Sequence, residues 1–214
     1  MDNAGKIVII FSLVGVGILY SLSVFVTPPF VPLDEVALQE GSVIRTRGVI
    51  TDFSITKSGN VLMKIEGNQT KLPIFVTSWA ERGRLLNLSY GDEIEVEGRV
   101  EIYRGEYELV VSGNAMKKVM PGSNISFVSQ IGMHPEEYEG RRIQVVGYAD
   151  EIYKRVFYLR DERGEYRLRV KLMATDMPIL ELQKGDKIIA DGVFSYDAKN
   201  MRYELNLVAF RHCE

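Results

Sequence analysis

Cysteine is almost missing from this sequence: Cys213, beside the C-terminus, is the only one in 214 residues. An intramolecular disulfide is therefore excluded, and stability has to come from packed apolar cores. Histidine is nearly as scarce. With only His134 and His212 beside that cysteine, the chain has too few of the usual ligands for a zinc cluster. A basic excess is also lacking, since the formal net charge is −3. That argues against a tight, non-specific duplex binder, which works by neutralising phosphates, but leaves room for a local basic face. No glycine-rich phosphate loop is present, because Gly15 and Gly17 fall inside an apolar run. Cys213 next to His212 lacks the third group of a nucleophile–base arrangement and sits at the end of the last strand, where a pocket is hard to build. The sequence reads as a non-enzyme without a cofactor. Hydrophobic residues make up 46% and charged residues 26%, a globular balance.

Charge is also missing from Ile7–Thr27, IVIIFSLVGVGILYSLSVFVT, over 21 residues. A spanning helix needs about 20 apolar residues, and Pro28-Pro29 stops the run. This predicts a transmembrane helix over 7–27 that attaches the chain to a membrane. A cleaved signal peptide is the competing reading, with Ser21 and Ser23 near a cut, but the apolar stretch continues through Val24, Phe25 and Val26. Lys6 precedes the helix, whereas the first charges after it are Asp34 and Glu35 and the first basic residue is Arg45. Residues 1–6 are then a cytoplasmic tip and 28–214 lie outside a single-pass cell-membrane protein. The glycosylation patterns at Asn68, Asn87 and Asn124 agree with that orientation.

The soluble part repeats itself. Gly41-Ser-Val-Ile-Arg-Thr-Arg-Gly48 matches Gly140-Arg-Arg-Ile-Gln-Val-Val-Gly147. Tyr90-Gly-Asp92-Glu-Ile-Glu-Val-Glu-Gly98 matches Lys184-Gly-Asp186-Lys-Ile-Ile-Ala-Asp-Gly192, and Tyr107-Glu-Leu matches Tyr203-Glu-Leu. Such self-similarity marks duplicated units. Period-2 alternation predicts strands over 43–56, 61–66, 72–77, 92–103 and 107–112, then 142–153, 156–160, 165–172, 186–196 and 201–210. Ser78–Leu88, containing Trp79, and Ala174–Leu182 break the alternation and read as short helices.

Five strands with a helix between the third and fourth, and the pattern L-x-x-G-D-x-I-x-V-x-G around Gly91-Asp92 and Gly185-Asp186, resemble the OB-fold superfamily. The similarity points to its anticodon-binding-like and single-strand-binding-like branch. The fold class is thus all-β: two consecutive five-stranded OB-type Greek-key barrels after one N-terminal transmembrane helix. Residues 28–34 and 121–139 read as linkers, 35–120 and 140–214 as the two OB domains. Because each pattern is complete, each half should unfold cooperatively by itself. An anchor followed by an OB barrel also resembles the haem chaperones of cytochrome maturation, whose His and Tyr four residues apart are matched in spacing by His134 and Tyr138.

The resemblance implies binding across strands two and three and their flanking loops. In the second copy, alternation sends Tyr158, Arg160, Arg167, Arg169 and Lys171 to one outer face, where a base could stack and cations track phosphate. In the first copy the corresponding set is Arg45, Arg47, Lys64 and Phe75. Glu93, Glu95 and Glu97 form an acidic row that repels phosphate. Two functions fit: single-stranded nucleic-acid binding at the membrane, or a structural or assembly protein of the cell envelope whose barrels contact protein partners or each other.

Overall fold

The computed structural model describes residues 3–25, 27–56, 58–77, 87–173 and 182–213. It opens with a helix, α1, Asn3–Phe25, of 23 residues. The large apolar side chains from Val8 to Tyr20 are exposed, and a Cβ on Gly15 or Gly17 would meet nothing within 4 Å. Among the described residues no helix is long and apolar enough to cross a membrane. The expected transmembrane helix over 7–27 is therefore not established by the fold.

Strands β1 (Val43–Ile55), β2 (Val61–Gly67), β3 (Thr70–Val76), β4 (Glu93–Tyr103) and β5 (Glu106–Met120) follow. They close a barrel in the order β1-β2-β3-β5-β4, with β3 and β5 parallel. This is the OB arrangement. The second copy repeats it with β7 (Arg142–Asp150), β8 (Val156–Arg160), β9 (Arg167–Leu172), β10 (Lys187–Asp197) and β11 (Arg202–His212). Its sheet runs β10-β11-β9-β8-β7, and pairing of β10 with β7 closes it. The helices expected within 78–88 and 174–182, and Trp79 with them, lie almost wholly outside the described residues, although Leu88 and Leu182 at their ends are buried.

The duplication holds at the level of single hydrogen bonds. The Gly91 N–H donates to the Ile50 carbonyl at 2.9 Å, as that of Gly185 does to Ala149 at 2.8 Å. Asp92 Oδ2 accepts the Ser89 N–H at 2.8 Å, and Asp186 Oδ2 accepts that of Gln183 at 2.8 Å. A side-chain cap that locks the turn before strand four explains why Gly-Asp recurs. Gly98 and Gly192 recur for space. A Cβ on Gly98 would lie 2.5 Å from the Val110 carbonyl oxygen, and one on Gly192 closer still to that of Asn206.

The two expected linkers are parts of the repeats. Before barrel one, Phe30 bridges Arg45 in parallel, and a 3-10 helix over Leu33–Gln39 buries Leu33 and Val36. Before barrel two, β6 (Ile125–Phe127) pairs in parallel with β7, and helix α2 (Val128–Met133) leads into a 3-10 turn at Pro135–Glu137. Leu33 covers Gly48 as Val128 covers Gly147. Polar residues around Pro121 and Pro135 hid this arm from a reading by turn composition.

Each barrel is filled by its own apolar cluster, but the first extends into the second half of the chain. Ile125, Phe127, Val146 and Ile189 join the cluster that fills barrel one, and Phe127 stacks on Phe53 with centroids 5.5 Å apart. The buried Gln130 accepts the Phe127 N–H at 2.9 Å and donates to the Leu88 carbonyl at 2.8 Å. Ser129 Oγ donates to the Phe53 carbonyl at 3.1 Å. These contacts tie the two halves together.

Candidate ligand-binding faces

On barrel two the alternation places the expected residues together. Phe157, Leu159, Leu168 and Val170 point into the core, so Tyr158, Arg160, Arg167, Arg169 and Lys171 emerge on the other side. Antiparallel register sets Tyr158 opposite Arg169 and Arg160 opposite Arg167. The Arg167 guanidinium lies over the Tyr158 ring at 4.3 Å, which buttresses the ring and presents a guanidinium plane outward.

Those cations are engaged. Arg167 Nη2 sits 2.8 Å from Glu151 Oε2; this hydrogen bond, ahead of the other neighbours, raises the pKa of the guanidinium. Arg169 and Lys171 share Glu204, Arg169 by a short ion pair and Lys171 at 3.3 Å. Glu204 is 4% exposed, roofed by those two side chains. Arg160 donates to the Asp161 and Glu162 carbonyls at 3.2 and 2.9 Å. Glu151 and Glu204 lie beyond the strands whose pattern identified the stripe, so alternation found the cations but not their counterions.

The first-barrel set does not form one face. Arg45 and Arg47 lie on β1 and both reach Glu95, at 3.5 and 3.2 Å. Lys64, on β2, makes a short ion pair with Glu162 of barrel two. Phe75 is half-buried on β3, opposite Leu62.

Sequence reasoning missed the junction. A register shift after Ile50 sends Asp52 and Ser54 outward while Phe53 and Ile55 fill the core. Asp52 Oδ2 accepts from Lys187 Nζ at 2.8 Å and Oδ1 from the Tyr148 hydroxyl at 3.0 Å, while Lys187 also donates to the Thr51 carbonyl at 2.6 Å. Burial first, then Asp52, raises the Tyr148 phenol. Beside it burial, then Cys213, pushes Tyr90 up to about 12. Burial likewise raises the Cys213 thiol, the opposite of an activated nucleophile.

Two clefts are lined by residues from both barrels. The larger, about 660 Å³, is polar and includes Asn124, His134, Tyr138 and Arg142 in its lining. His134 closes α2, its N–H donating to the Gln130 carbonyl at 3.2 Å. The smaller, about 320 Å³, lies on the outer face of barrel one under the β8–β9 turn. Among the described residues no group of three or more His, Cys, Asp or Glu could hold a metal ion.

No family model matches the chain, and no curated protein does. Among solved structures it is similar to an asparaginyl-tRNA synthetase from Pyrococcus horikoshii, with 16% identity over 50% of this chain and 26% of that one, TM-score 0.38. An Entamoeba histolytica asparaginyl-tRNA synthetase gives 14% identity over 45% and 25%, TM-score 0.38. The S. pombe Stn1-Ten1 complex gives 18% identity over 36% and 57%, TM-score 0.33. The chain therefore spans 25% to 57% of the length of these three chains. Superpositions so partial carry no argument, and the OB assignment rests on the strand order described above.

Proposed function

We propose that this protein is a membrane-anchored, non-catalytic tandem OB protein whose β8–β9 face binds a single nucleic-acid strand. The observation that carries the reading is the Arg167–Tyr158 stack at 4.3 Å on a face shared with Arg160, Arg169 and Lys171. Guanidinium planes and aromatic rings both stack bases without regard to sequence. Bound carboxylates compete with phosphate, so affinity is modest and strongly salt-dependent. Anchoring is supported by the uncharged Ile7–Thr27 run and the 23-residue helix that contains most of it. Exposed Asn68, Asn87 and Asn124 fit soluble barrels outside the cell membrane.

The test is fluorescence anisotropy of labelled oligonucleotides with the full chain in neutral detergent, at several salt concentrations. Replacing Arg167, Arg169 and Lys171 together with alanine should flatten the slope of log K against log salt by roughly 0.7 for each phosphate no longer neutralised. Tyr158→Ala should cost about 1–3 kcal/mol of binding. No binding by the parent protein at micromolar concentration in low salt refutes this reading. The alternative then leads: an envelope structural or assembly protein whose barrels contact other proteins, which the pairing of Arg167, Arg169 and Lys171 with carboxylates favours.

A further inference from the structure

The outer face of barrel one carries a second feature, with chemistry opposite to that of the basic stripe. Leu62 on β2 and Pro73 on β3 form an apolar floor. Glu106 and Glu108, two apart on β5, stand along one wall, and the barrel-two turn bearing Glu162 and Arg163 forms the other. The cleft's volume, about 320 Å³, lies near the lower end of the roughly 300–1,000 Å³ range of ligand sites.

Three observations say what belongs there. Glu108 faces Glu101 directly across the β4–β5 ladder, and like charges so placed are destabilising unless a cation joins them. Burial, then Glu101, raises the Glu108 carboxyl accordingly. Second, the Ser54 hydroxyl lines the cleft from a side chain only 3% exposed, and its oxygen is buried without a hydrogen-bond partner. A buried unmet hydroxyl costs about 1–3 kcal/mol, which a ligand carbonyl or amide would relieve. Third, the nearby cations are mostly occupied: Lys64 holds Glu162, and Arg104 lies over the Tyr103 ring at 5.2 Å. Arg163 lines the far wall.

We propose that this cleft docks a basic segment of a partner polypeptide, a lysine or arginine side chain lying along Leu62 and Pro73 with its charged head between Glu106 and Glu108. An amphipathic cation matches both parts: its alkyl stem covers apolar surface and its head meets the carboxylates. A nucleic-acid strand would be repelled by the same wall. The inference is independent of what barrel two binds.

The test uses the full chain in neutral detergent and a fluorescein-labelled decapeptide of alternating lysine and leucine, with a glutamate–leucine peptide as control. The basic peptide should bind and the acidic one should not. Glu106→Gln with Glu108→Gln should weaken binding about tenfold. Glu97→Gln removes one carboxylate from β4 outside the cleft and should change binding by less than about twofold. Ser54→Ala should weaken it about threefold, because no hydroxyl is left to bond the peptide backbone. Thermal melts establish that the variants fold; Glu108→Gln should not lower the midpoint, since it removes a repulsion. Equal weakening by Glu97→Gln, equal binding of the acidic peptide, or no binding by the parent overturns the proposal. Because the probe is a peptide, failure here leaves the oligonucleotide result untouched, and the reverse.

Discussion

Replacing Asp52 with alanine should destabilise both barrels together. Its carboxylate receives Lys187 Nζ at 2.8 Å and the Tyr148 hydroxyl at 3.0 Å, at a junction where the Asp52 and Lys187 side chains are 12% and 20% exposed. Truncation leaves the ammonium with the Thr51 carbonyl and the Tyr90 and Tyr148 ring faces, and the phenol without its Asp52 acceptor. Breaking a fully buried pair costs about 3–5 kcal/mol. The partial exposure of Lys187 admits water, so we expect about 2–4 kcal/mol, combining that figure with the roughly 1.5–3 kcal/mol of one charge-assisted bond. For a chain of this size the melting midpoint falls roughly 2–4 °C per kcal/mol, hence by about 4–16 °C. Asp52→Ala with Lys187→Met should recover at least half of the loss, because the stranded charge is then gone. Urea unfolding of the full chain, followed by far-ultraviolet circular dichroism, provides the measurement. Asp52 belongs to β1 and Lys187 to β10, so one transition should shift as a whole. A loss below about 0.5 kcal/mol, or two transitions of which only one moves, would refute the reasoning.

Gly98→Ala and Gly192→Ala should each destabilise by about 1–3 kcal/mol or more, since the added methyl meets a backbone carbonyl that cannot swing aside. Gly15→Ala, in open space, should leave the urea midpoint unchanged; similar losses at all three sites would contradict the packing argument. Glu108 predicts a pH signature. Its carboxyl is raised above the ordinary 4.5 by burial and then by Glu101, so the folded chain keeps this proton at pH values where the unfolded chain has released it. Ionised Glu108 therefore costs stability above that window, and the cost disappears as pH falls through the folded-state value. Glu108→Gln should raise the melting midpoint near neutral pH and have little effect below the usual carboxylate range. A midpoint lowered at neutral pH would contradict this.

Most of the strand architecture was legible in the sequence because period-2 alternation is a direct imprint of a two-faced sheet. Val156–Arg160 coincides with its expected bounds, and the other strands shift by a few residues, apart from a longer β5. The basic stripe was legible for the same reason. What alternation cannot encode is a partner from another strand. Glu204 meets Arg169 through the parallel β9–β11 pairing, a contact across 35 positions that no local pattern announces. The shift after Ile50 was hidden too, since one extra residue inverts the faces beyond it. Asp52 and Ser54 then read as the wrong side of β1, and the junction and the acidic cleft vanished with them. The arm before each barrel was missed because a three-residue strand, Ile125–Phe127, is too short to show a period.

The duplicated parts divide by what constrains them. Gly-Asp before strand four, the close-approach glycines and the parallel arm recur in both copies because each satisfies a backbone requirement of the barrel itself. Side chains on the outer faces carry no such requirement, and there the copies diverge: barrel two presents Tyr158 and four cations, barrel one Glu101, Glu106 and Glu108. Packing the barrels together then ties those faces to one another. Glu162 leaves the β8–β9 turn to neutralise Lys64, taking from barrel one a cation that its own sheet would offer to phosphate, and the same turn becomes a wall of the acidic cleft. Asp52, clamped by Lys187 and Tyr148, and Lys64, paired with Glu162, hold barrel two against that side of barrel one. A ligand on barrel one therefore has to fit the cleft as barrel two leaves it, acidic on one side and apolar beneath, while a ligand on barrel two meets the opposite charge.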